Sequence, residues 1–223
     1  MNAKRIFELG GYGAALVLVA FGIASLVLGV SGRNEVRKDV KRELIVGSPD
    51  MNKTAIRAEA TEAKLPAAIL ATLPTCNVAG KTINSGSRAK CFASYMRIHT
   101  LEATGGFTYS QMGRFAAKPD APKAELAVGG GTDNTKYALV DPNTQRPVAN
   151  GARDIWVTET ALTTALNTSF FAEQVSLFSL VIGIALLLVG IGLGVLAFVA
   201  FRLVPVREAK KQTASALTKP VTT

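Results

Sequence analysis

The chain has 223 residues, 48% of them hydrophobic, with a formal charge of +9. Two uncharged apolar runs take up about 50 residues, which leaves roughly 140 for a polar segment, enough for one small domain. The positive charge forms no basic stripe with interleaved aromatics, so nucleic-acid binding has no support.

Residues 1–9 form a short tail with Lys4 and Arg5. Residues 10–32 then run without a charged side chain. That length crosses a hydrocarbon core, which takes roughly 20 apolar residues. Ala15, Gly22 and Gly29 recur every seven positions, and the register continues at Val36. Val36, Val40 and Leu44 make an i, i+4 stripe, so the helix is predicted to continue to about residue 46, where Gly47, Ser48 and Pro49 stop it. A cleaved signal peptide is the alternative, with Gly29 and Ser31 resembling a cleavage site. The apolar core exceeds the roughly 7–15 residues usual for a signal peptide, which favours an uncleaved anchor.

Ser48 as N-cap and Pro49 at the first helical position predict a second helix over 49–64. Pro66, Pro74, Gly80, Asn84 and Gly86 mark the loop beyond it. A third helix is predicted over 87–103, with Phe92, Met96 and Leu101 on its apolar side and Gly105 and Gly106 as its stop. A short helix over 108–117 follows. Prolines and glycines break residues 118–151, which read as a loop or flexible insertion with a short hairpin at 136–140.

The last helix is predicted to begin near residue 152 and to run into a second uncharged apolar span, 175–201. Ile155, Leu162, Ser169, Ser176, Gly183, Gly190 and Ala197 are spaced by sevens. Gly190 and Gly194 form a G-x-x-x-G with Gly192 inside it. Small residues let membrane helices approach closely. Ala15, Gly22, Gly29, Gly183, Gly190 and Gly194 therefore pack the two spans on each other, or pair with another subunit. No ionisable side chain lies within either span, which argues against a pump, transporter or single-copy channel.

The tails outside the spans carry seven basic residues against two acidic ones, whereas residues 33–174 carry 18 against 14. Short basic flanks favour the cytoplasmic side. Both termini are expected inside and residues 33–174 outside, although Arg33, Arg37, Lys38, Lys41 and Arg42 just past the first span oppose this. Cys76 and Cys91 are confined to the polar segment, which suits an oxidising exterior and a structural disulfide. A site of both cysteines and His99 would lack a fourth ligand, so no metal is expected. His99 near a helix end is expected to cap a carbonyl or face solvent, with Glu102 three positions on. Trp156 reads as a core or partner contact. Asn52-Lys-Thr and Asn167-Thr-Ser match the glycosylation pattern, which matters only in a host that glycosylates. No nucleophile elbow or phosphate loop is present, so neither an enzyme nor a cofactor is expected.

Four stretches carry a resemblance: the opening Met1 to Tyr12, Leu73-Pro-Thr-Cys76, the run from Lys90 to His99, and the run from Thr160 to Phe171. Together they resemble a group of uncharacterised two-pass membrane proteins of actinobacteria, outside residues 118–151. Some of these carry an aromatic ring-opening dioxygenase label. A non-haem iron oxygenase needs a set such as two histidines and a carboxylate, and this chain has one histidine. The resemblance implies topology and no mechanism.

The resulting expectation is an all-α membrane protein of the cell membrane. Cytoplasmic tails at 1–9 and 202–223 and transmembrane helices at 10–32 and 175–201 flank a mainly helical extracytoplasmic domain, 33–174, with one disulfide. Its expected role is an interaction domain, an accessory or scaffold subunit of a cell-envelope assembly. Its contacts would be the lipid bilayer and a protein partner or a second copy. An extracytoplasmic ligand-binding sensor module is the alternative.

Overall fold

A computed structural model describes residues 3–203. Residues 204–223, and with them most of the expected C-terminal tail, lie outside the described residues, as do Met1 and Asn2. Among the described residues the fold is helical, with isolated bridges in place of strands. The helices are α1 (Ala3–Arg42), α2 (Lys53–Glu62), α3 (Ala67–Leu70), α4 (Gly86–Ala103) and α5 (Gly151–Phe198), which continues as a π-turn at Val199–Leu203. The described residues divide into an apolar unit, 3–33 with 174–203, and a polar unit, 34–173.

In the apolar unit α1 and α5 run antiparallel. A side chain added at Gly22 would meet Leu187 and the Gly183 carbonyl, one at Gly29 would meet Leu180 and the Ser176 carbonyl, and one at Gly190 would meet Val19 and the Ala15 carbonyl. The Ala15 Cβ lies 3.6 Å from the position of a Cβ at Gly194. The period of seven on both helices keeps this seam facing inward over its whole length. The small-residue faces are thus filled by each other within the chain. The outward faces carry Leu16, Phe21, Val27 and Leu28 on α1, and Phe178, Val181, Leu188 and Leu196 on α5, each at least half exposed.

The core of the polar unit gathers Val40 from α1, Ile56 and Ala60 from α2, Phe92, Tyr95 and Ile98 from α4, and Trp156 and Leu166 from α5. Trp156 is 3% exposed and its indole N–H donates to the Phe107 carbonyl at 2.8 Å. It is a core residue. The buried positions of α5 in this unit are Trp156, Glu159, Leu166 and Glu173, while Ile155 is exposed. Of the expected stripe, Ile155 is exposed, Leu162 packs against this core, and Ser176, Gly183, Gly190 and Ala197 are buried. A second row through Glu159, Leu166 and Glu173 is buried beside it, on the same face of a seven-residue repeat.

Four boundaries differ from expectation. α1 ends at Arg42 because Leu44 turns to a φ of 54°, which leaves its side chain exposed rather than in the stripe. Residues 45–47 then pair by backbone with residues 79–83. α2 starts at Lys53, not at Pro49, because Asn52 is the better cap: its Oδ1 accepts the N–H groups of Thr54 and Ala55. The loop expected after Pro66 holds the short helix α3 at Ala67–Leu70. Finally, 108–117 holds only a 3₁₀ turn at Tyr109–Gln111.

α4 begins where expected, capped by Ser85 Oγ, and ends at Gly105 and Gly106, both with positive φ. Residues 118–151 lack helix beyond short turns but are tied by backbone pairs. Phe115 bridges Thr132 and Ala149, Ala117 bridges Ala138, and Val140 bridges Pro147. The Thr132 hydroxyl, fully buried, donates to the Glu125 carbonyl. The tight turn falls at 141–146, just after the expected hairpin, where Asp141 Oδ1 accepts the N–H groups of Asn143 and Thr144.

Candidate functional site

The disulfide joins Cys76 to Cys91. It ties the turn-rich segment between them to the first turns of α4. The Tyr95 hydroxyl, one turn further along α4, donates to the Cys76 carbonyl at 2.6 Å, and the side chain is fully buried. Burial, with the Asp50 carboxylate next, pushes the Tyr95 phenol up. Both sulfurs are committed to each other, so they cannot serve as thiolate ligands with His99.

His99 neither caps a carbonyl nor faces open solvent. Its imidazole, 24% exposed, meets two carboxylates from outside α4. Asp50 Oδ2 lies 2.8 Å from Nε2, and Glu59 Oε2 lies 4.0 Å from it. The turn before α2 aims Asp50 here: the Met51 N–H donates to the Ser48 carbonyl, and the Asn52 side-chain amide donates to the Pro49 carbonyl. Glu59 follows from the register of α2, which buries Ile56 and Ala60 against α4 and leaves Glu59 at the edge of that contact.

The Asp50–His99 approach is a close ion pair. Nε2 is shut off from solvent, with the Asp50 carboxylate 2.8 Å away. Burial raises the Asp50 carboxyl, but hydrogen bonds from Ser48 and its own backbone, with the His99 ring beside it, outweigh that and hold it below its ordinary value. Glu102 borders the group, and its Oε1 is also closed from solvent without a hydrogen-bond partner. Burial pushes its carboxyl up; His99 opposes this, and the Glu59 and Asp50 charges add to it. The Glu102–His99 spacing was legible in sequence. Asp50 and Glu59 were not, because they lie 49 and 40 residues before His99 with no local spacing to mark them.

A second feature is basic. Arg37, Lys38, Lys41, Arg42 and Arg88 line a cleft of about 800 Å³ with Asn84 and Ser85. Three of the cations have partners: Arg37 with Glu173 at 3.4 Å, Lys38 with Glu35 at 3.9 Å and Arg42 with Asp39 at 2.6 Å. Arg88 donates to the Thr82 carbonyl and to Asn84 Oδ1. The cleft collects four of the five basic residues that follow the first apolar span, and adds one from α4.

Neither sequon asparagine is placed alike. Asn52 uses its side chain as the α2 cap, and Asn167 is exposed on α5. Comparison with protein families, curated proteins and solved structures finds no match.

Proposed function

We propose that this chain is a two-pass membrane protein whose residues 33–174 lie outside the cytoplasm and act as an interaction domain, an accessory or scaffold subunit of a cell-envelope assembly. The observation that carries this reading is the outward surface of the apolar unit. Large exposed apolar side chains cover both helices, and windows of mean hydropathy 2.5 and 2.8 are only 17% buried. A surface of that extent in water would be far beyond what soluble monomers tolerate, whereas lipid solvates it at no cost. The disulfide supports an oxidising compartment for the polar unit.

Glycines of the seam are filled within the chain, which favours the polar unit as the surface that meets a protein partner. The basic cleft favours an anionic surface on that partner. Crosslinking in native membranes, gentle extraction and mass spectrometry test this. A stoichiometric partner supports it, and a clean monomer sinks it. Topology is tested with Thr144→Cys and Ser215→Cys, since the native cysteines are paired and silent to maleimide. The reading requires labelling of the first and protection of the second from an impermeant reagent in intact cells.

The Asp50–Glu59–His99 group favours a second reading, an extracytoplasmic ligand-binding module that signals through a partner.

A further inference from the structure

Two carboxylates from separate stretches of sequence converge on the chain's only imidazole, and a third borders the group. Asp50 comes from the turn before α2, Glu59 from α2 and Glu102 from α4, one turn beyond His99. One ligand atom each from Asp50, Glu59 and His99 lie within 4.8 Å of one another. Two ligands of one first-row divalent cation, each about 2.0–2.1 Å from it, stand about 3 Å apart. The separations of 2.8 Å and 4.0 Å from Nε2 bracket that spacing.

Direct pairing leaves part of the arrangement unaccounted for. Glu102 Oε1 is closed from solvent and without a hydrogen-bond partner, and Nε2 of His99, also closed from solvent, stands beside the carboxylates of both Asp50 and Glu59. Buried polar atoms left without a partner carry a desolvation cost, and native structures keep few of them. One imidazole also supplies at most a single positive charge beside the carboxylates of Asp50, Glu59 and Glu102. A divalent cation takes the Nε2 lone pair and brings a second positive charge to the group.

We propose that Asp50, Glu59 and His99 bind a divalent cation of the zinc or manganese type, flanked by Glu102. The donor set selects this class. Imidazole with carboxylates suits borderline first-row cations, the absence of thiolate disfavours copper(I), and calcium takes six to eight oxygens. Three protein ligands leave a position open for water or for a group from a partner. The cation would clamp the 48–52 turn and α2 to α4. This names the ligand class for the second reading above and is independent of partner and topology, because metal uptake is read on the purified chain alone.

The test uses the full-length chain in detergent, without a polyhistidine tag, stripped with EDTA. It is dialysed against micromolar zinc or manganese and freed of excess, and metal per chain is then measured by elemental mass spectrometry alongside thermal unfolding. About one retained equivalent and a metal-dependent rise in unfolding temperature are expected. Glu59→Gln keeps the side-chain volume at a half-exposed position and should weaken uptake by more than the roughly 10–100-fold lost with a merely supporting group. His99→Ala should abolish it. If His99→Ala does not fold, Glu59→Gln and Asp50→Asn decide. Asp133→Asn, on a different loop, should bind as the native chain does. No retained metal in the native chain, or equal uptake and equal thermal shift in Glu59→Gln, overturns the proposal.

Discussion

The carboxylate of Glu173 on α5 accepts the backbone N–H of Ser87 in the first turn of α4, 3.2 Å away across 86 residues of chain. Glu173 is 3% exposed, and its other oxygen lies 3.4 Å from Arg37 Nε. A buried carboxylate at a helix start meets free N–H groups and the positive end of the helix dipole. Gly86 is what allows the approach, since a Cβ there would run into the backbone of Ser169 and Phe170. Glu173→Ala should cost about 2 kcal/mol, the scale of a charge-assisted hydrogen bond. Gly86→Ala should also destabilise. Thermal unfolding of purified protein measures both, and an unchanged Glu173→Ala would show that the contact contributes nothing.

The seam of the apolar unit makes a paired prediction about two glycines of α5, Gly183 and Gly192. A Cβ at Gly183 would sit 2.8 Å from Leu26 Cγ and 2.9 Å from the Gly22 carbonyl oxygen, whereas one at Gly192 meets nothing within 4 Å. Gly183→Val should therefore destabilise by about 1–3 kcal/mol through overpacking. Gly192→Val should lower the unfolding temperature far less. Equal effects would disprove the seam.

The disulfide closes a loop with a sequence separation of 15. In the chain-entropy account such a crosslink contributes about 3 kcal/mol. A double replacement of Cys76 and Cys91 by alanine, or reduction, should lower the unfolding temperature of the polar unit. Loss of the mobility difference between reduced and non-reduced gels reports the bond itself. A reduced protein of unchanged stability would contradict the prediction.

Trp156 donates its indole N–H to the Phe107 carbonyl and stands 3.3 Å from Thr104 Oγ1. Trp156→Phe keeps most of the apolar volume but removes the donor, at a cost of about 1–3 kcal/mol for the carbonyl left behind. Trp156→Ala adds a cavity and should cost about 3–5 kcal/mol. A Phe variant as stable as the native chain would show that the hydrogen bond carries no net stability.

Asp133 gives an acid-side prediction. Its carboxyl is held below the ordinary value of 3.8, first by the Arg114 backbone N–H and then, against a small opposing effect of burial, by the Arg114 and Arg153 side chains. A carboxyl lowered by folding contributes stability that is present above pH 3.8 and is lost as pH falls through its folded value. Acidification below pH 3.8 should lower the unfolding temperature more in the native chain than in Asp133→Asn. Identical acid profiles would rule this out.

The apolar helices, their seven-residue stripe and the cysteine pairing follow from the sequence by itself, because each depends on residues close along the chain or, for the disulfide, on the only two cysteines in it. Span length is a count of uncharged residues. The seam at Ala15, Gly22 and Gly29 against Gly183 and Gly190 is a periodicity. The stop at Gly105 and Gly106 is a backbone preference. Tertiary structure decided what depends on distant partners. The burial of Glu159 and Glu173 on α5 is of this kind, with Glu173 meeting the α4 N-terminus across 86 residues of chain. Asn52 displaced Ser48 as a cap once the preceding residues were drawn into the turn that carries Asp50. The meeting of Asp50 and Glu59 with His99 rests on the packing of α2 against α4, and no spacing along a single strand of sequence encodes the distance between side chains on two helices.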